Sequence, residues 1–143
     1  MMTPVEQRGL LRDWAQWMMR ETQARMRAGE APPPCPFVAA VNGHGVAFAA
    51  LLDWREGDLV PTLRALAAHH QASGVAVFAD GFLRSPDGRE RIGEALTATL
   101  HFADGQSAIY SCAYTRAPIA FAEVVAGEGG FFGGDIFPAP APS

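Results

Sequence analysis

The chain has no lysine; all eleven of its basic residues are arginine, set against fifteen aspartates and glutamates for a net charge of -4. A protein of this balance is not expected to hold nucleic acid through bulk electrostatics. Five arginines (Arg8, Arg12, Arg20, Arg25 and Arg27) fall in the first segment, but Glu6, Asp13 and Glu21 are interspersed among them. That mixture is the pattern of a solvated helix face. Cysteine is scarce as well. Cys35 and Cys112 form no C-x-x-C, and both are expected to be reduced thiols. No apolar run approaches the ~18 residues of a membrane span. Glu6, Arg8, Arg12 and Asp13 stand where the apolar core of a secretory leader would lie. Together these absences predict a cytoplasmic protein with neither a membrane nor a nucleic-acid partner.

Chemical motifs are missing too. The glycine-rich stretch from Gly127 to Gly134 lacks the spacing and the lysine of a phosphate-binding loop. It is expected to return Phe131 and Phe132 to the core. His44, His69, His70 and His101 form no ligand pattern, and His69 and His70 would point ~100° apart on a helix. No G-x-S-x-G is present, and Cys112 falls mid-strand, where a thiol serves as a small apolar side chain. No catalytic residue, metal or cofactor is assigned on these grounds. Asp80, at the end of an apolar run, stands where a catalytic acid can sit, but the simpler reading is a strand emerging into water there.

What is present is an ordinary globular composition, 49% apolar over 143 residues. It suits a single domain over residues 1–137, followed by an extended Pro/Ala tail, 138–143. Thr3-Pro4-Val5-Glu6 is a capping box with proline in the first turn, and Gly29 with Pro32-Pro33-Pro34 marks the stop. The helix between them carries Leu11, Trp14, Ala15, Met18 and Thr22 on one face, widened by Leu10 and Trp17. Two apolar strands follow, Phe37 to Val41 and Val46 to Leu52, joined by a turn at Asn42-Gly43-His44-Gly45. Both are expected to be covered, or nearly so, on both faces. A second helix runs from an Asp58 cap to about Gln71, and a strand from Val75 to Leu83. Ala95 to Phe102 and Ser107 to Thr115 form a hairpin about Asp104-Gly105, with a short edge strand over Ile119 to Val125. The fold class is α+β: a mainly antiparallel sheet of five to six strands with two helices on one face, in the order α-β-β-α-β-β-β(-β).

The hairpin holds the most informative face. A two-residue Asp104-Gly105 loop pairs Phe102 with Ser107, Leu100 with Ile109 and Thr99 with Tyr110. Thr97, Thr99, His101, Tyr110, Cys112 and Tyr114 then share one face that carries no charge. A charge-free face with two tyrosines matches the centre of a protein interface. Thr99, His101, Tyr110 and Tyr114, with Trp14 and Trp17 of the first helix, are the expected interface residues; the alternative is that the N-terminal helix or the Phe131-Phe132 loop covers this face within the same chain.

From Phe37 onward the chain resembles a family of small uncharacterised bacterial proteins. The likeness rests on the hairpin at Asn42-Gly43, the segment Gly74-Val75-Ala76-Val77-Phe78-Ala79-Asp80-Gly81-Phe82, the turn with Pro86-Asp87 and Arg89-Glu90, and the strand from Glu94-Ala95-Leu96. It implies a fold order and no activity. The element order is also similar to that of roadblock-type domains, which act as dimeric scaffolds. The expected function is a non-enzymatic interaction or scaffold module, partnered by itself or by another protein. The alternative is a small enzyme or ligand-binding module with a pocket near Asp80, His101 and Tyr110.

Overall fold

The structure is a computed structural model that describes residues 1–53, 59–85, 87, 89–127 and 136–137. Its elements are α1 (Pro4–Arg27), β1 (Phe37–Asn42), β2 (Gly45–Leu51), α2 (Leu59–His69), β3 (Gly74–Arg84), β4 (Arg91–Phe102), β5 (Ser107–Arg116), β6 (Ile119–Phe121) and β7 (Val125–Gly127). All the strand pairs are antiparallel, in the order β2-β1-β3-β4-β5-β6, and β7 pairs with β5 beside β6. The α+β class is as expected. The sheet has seven strands, because the expected edge strand after Pro118 is two three-residue strands.

The burial of β1 explains the layering. Val38, Ala39, Ala40 and Val41 are all fully buried. Successive side chains of a strand point to opposite faces. Ala39 and Val41 pack with Leu11, Ala15, Met18 and Phe78, whereas Val38 and Ala40 pack with Leu63, Ala67, Val75 and Val77. Apolar central strands of this kind need a helix on each side. The expectation of both helices on one face is therefore corrected: α1 covers one face and α2 the other. Ile136 joins the α2-side core and is fully buried there.

α1 begins as its sequence dictates. The Thr3 hydroxyl accepts from Glu6 N at 3.2 Å, and Glu6 Oε1 accepts from Thr3 N at 3.2 Å. Its start is tied to the sheet, since Met2 N donates to Gly43 O at 2.8 Å and Gln7 bonds to both Met2 O and Ser73. The buried face is Gln7, Leu11, Ala15, Met18, Met19, Thr22 and Met26. This stripe is rotated from the expected one, so Trp14 is only half-buried and Trp17 lies at the margin, 51% exposed. The methionines fill the sheet-facing surface, where three rotatable bonds adapt to the pleat.

The β4–β5 hairpin departs most from expectation. Gly105 is left-handed (φ +89°), Gly105 N donates to Phe102 O, and Phe102 N donates to Gln106 O. Asp104 Oδ1 accepts from Gln106 N at 3.0 Å. The loop thus has three residues, Ala103-Asp104-Gly105, with glycine in the left-handed position that such loops require. His101 pairs with Ser107, Thr99 with Ile109 and Ala98 with Tyr110. A one-residue slip turns every β5 side chain over.

Cys112 is buried as expected, its thiol donating to Ala122 O at 3.2 Å and accepting from Gln23 Nε2 at 3.3 Å. Cys35 is half-buried in the connector after α1. In native protein a thiol reagent should modify Cys35 and reach Cys112 only on unfolding; peptide mass spectrometry checks the order, and early labelling of Cys112 contradicts it. A second expectation concerns Gly74, where a Cβ would lie 2.8 Å from a carbon of the buried Phe102 ring and 3.1 Å from Leu11 Cδ2. Gly74→Ala should lower the unfolding free energy by ~1–3 kcal/mol in a denaturant melt.

Candidate functional site

The corrected register separates the residues expected to form one interface. Thr99 and His101 are buried on the α2 side, His101 opposite Val75. Tyr110, Cys112 and Tyr114 lie on the α1 side, packed with the α1 core. Tyr110 borders a cavity of about 320 Å³ with Met19, Gln23 and Val124. The uncharged hairpin face expected from the sequence does not exist as one surface. Nor do Asp80, His101 and Tyr110 converge: Asp80 and His101 stand five residues apart in pairing along β4 and on opposite faces of the sheet.

Asp80 instead joins a polar cluster past the end of α1. Tyr114 Oη donates to Asp80 Oδ1 at 2.6 Å, and Arg116 Nε donates to Glu94 Oε2 at 2.7 Å. The second arm of Arg116 lies 3.8 Å from Asp80 Oδ2. Burial, and then the Asp80 carboxylate it is bonded to, hold the Tyr114 hydroxyl well above the ordinary tyrosine range. The Arg116 hydrogen bond holds Glu94 below its usual value. Each charge here faces its opposite, so the cluster ties β3, β4 and β5 together. Among the described residues no group of three or more His, Cys, Asp or Glu side chains is placed to hold a metal ion.

Large apolar side chains are exposed in several places, Phe82, Ile92, Val124 and Val125 among them, and one group lies at the β2 edge. In β2, Val46 pairs with Val41, and Leu51 with Phe37, so both point to the α1 side. They are 43% and 48% exposed. β2 is thus an edge strand with one side of its α1 face open, which corrects the expectation that it is covered on both faces. Leu51 and Trp17 line a groove of about 400 Å³ between α1 and the connector Glu30–Pro34, with Met18, Thr22 and Phe37 at its floor and Glu21 and Arg25 along its rim. Of the residues expected at an interface, Trp17 alone is largely exposed, and Trp14 packs at the margin of the α1 core. Val46, Ala49 and Leu51 were not anticipated. A signal was available: residues 31–52 contain no Asp, Glu, Lys or Arg.

No family model, curated protein or solved structure matches this chain. Among the described residues no helix is long and apolar enough to cross a membrane.

The Tyr114–Asp80 bond has a pH signature. The folded tyrosine's raised pKa contributes stability that is intact below the unfolded tyrosine value of ~10 and is lost as pH rises beyond it. With no lysine in the chain, no ammonium side chain titrates in that window. The melting midpoint should therefore fall more steeply between about pH 9 and 11 in the native chain than in Tyr114→Phe. At neutral pH the same variant should lose ~1–2 kcal/mol, because the Asp80 carboxylate loses a short bond. Parallel pH profiles of the two proteins would contradict the assignment.

Proposed function

We propose that this protein is a non-enzymatic interaction or scaffold module that acts as a homo-oligomer. The observation that supports it is the charge-free segment 31–52, whose folded form sets Leu51 in the open beside Trp17 and leaves Val46 exposed further along β2. Apolar side chains exposed singly are ordinary, whereas a cluster around a groove is the mark of an interaction surface. Tryptophan is also among the residues that most often anchor interfaces. The overall charge of -4 points to the same region. Copies of an acidic chain repel one another, and they approach most easily through a surface that carries no charge.

Light scattering coupled to size exclusion, run from low to high micromolar protein, tests this reading. The expected mass is that of two or more chains, falling toward one chain on dilution. A single-chain mass at every concentration would refute it.

A further inference from the structure

The two edges of the sheet are built differently. At one edge β5 is met by two three-residue strands, β6 and β7, with Glu123 between them. Short strands and charges are the usual means by which an edge avoids pairing with another chain. The opposite edge, β2, is Gly-Val-Ala-Phe-Ala-Ala-Leu: seven residues with no charge and no proline. Its register shift is confined to the hairpin end, near Ala40 and Val41 of β1, so Phe48 to Leu51 pair regularly. Among the described residues no strand pairs with its outer side.

We propose that β2 pairs antiparallel with β2 of a second copy, about a two-fold axis at Ala49, so that one sheet runs through both chains. This rests on the reading that the chain self-associates and adds the surface and geometry. Three features select a second copy as the occupant. The first is backbone direction. Leu52 N donates to Pro36 O across β1. Backbone groups of a strand alternate sides, so those of Ala49 and Leu51 face outward and can bond to a neighbour. The second is shape. Pairing centred on Ala49 sets Phe48 opposite Ala50 of the copy and, where the bulge begins, Leu51 opposite Ala47, large against small on either side of the central Ala49 pair. The third is charge. A strand paired with itself about a two-fold axis brings identical residues together near the axis. β2 has no charge to oppose its own, while the chain as a whole is acidic.

Crosslinking tests the geometry and solution mass tests the association beneath it. Ala49 is exposed, so its replacement leaves the core untouched. At the two-fold axis the paired Ala49 residues would be ~5.5 Å apart between Cα atoms, inside the ~4.4–6.8 Å span of a disulfide. Ala49→Cys in a Cys35→Ser background should give a covalent dimer under mild oxidation, at protein concentrations where the uncrosslinked parent is dimeric. Ala49→Glu should weaken self-association by about tenfold or more at low salt, with an unchanged melting profile of the monomer. A native dimer that neither crosslinks at position 49 nor responds to Ala49→Glu overturns the β2 pairing and leaves the self-association reading standing. A native chain that is monomeric throughout overturns both.

Discussion

Burial of β1 and β3 on both faces is the constraint on which the rest of this structure depends. Val38, Val41, Val75, Val77 and Phe78 are removed from water whichever way they point. Each such side chain contributes ~1.5–3 kcal/mol when fully buried. An element must therefore lie on each side of the sheet, and the chain supplies one before β1 and one between β2 and β3. The two helices differ in reach. α1, with 24 residues, crosses β1, β3 and β4 and carries the larger core; α2, with 11 residues, covers β1 and β3, with Phe48 of β2 at its margin. The rest of the α2 face is closed in part by Ile136.

The placement of α1 also decides what is left in the open. Centred over β1, β3 and β4, it covers β2 only in part, and Val46 and Leu51 stay accessible, Leu51 beside Trp17. On its other flank Gln23 bonds to the Cys112 thiol and the Arg27 guanidinium lies 4.9 Å from the Phe121 ring centre. One edge thus consists of short strands flanked by side chains of α1, and the other is a single seven-residue apolar strand. The functional reading follows from this asymmetry and from no catalytic geometry. The polar groups that do meet, Asp80, Glu94, Tyr114 and Arg116, satisfy one another and hold three strands in register.

Local signals were legible along most of the chain. The capping box of α1, its stop before Gly29, the turn at Asn42-Gly43, the second helix and the order of the strands through β5 could all be read from spacing and turn chemistry. These features depend on residues within a few positions of each other. The burial of Cys112 was legible for the same reason, since a thiol in an apolar strand has little else to do. The polar cluster was not, because Asp80, Glu94 and Tyr114 are brought together only when β3, β4 and β5 pair.

Sequence alone determined that this chain is α+β, that its first helix begins at Thr3 and ends by Gly29, and that β1 needs cover on both faces. Only the tertiary structure decided which faces meet. Asp104-Gly105 fits a two-residue or a three-residue loop, and the choice rests on whether glycine is the second or the third loop residue. That single step moves Tyr110 and Tyr114 from beside Thr99 and His101 to beneath α1. The apolar core selects between the registers: Cys112 and Tyr114 join Leu96, Ala98 and Leu100 there, while Ser107 and Ser111 go to the opposite face. The same holds for β2, whose apolar residues suit a buried strand as well as an open edge. It became an edge because β3 took the other side of β1.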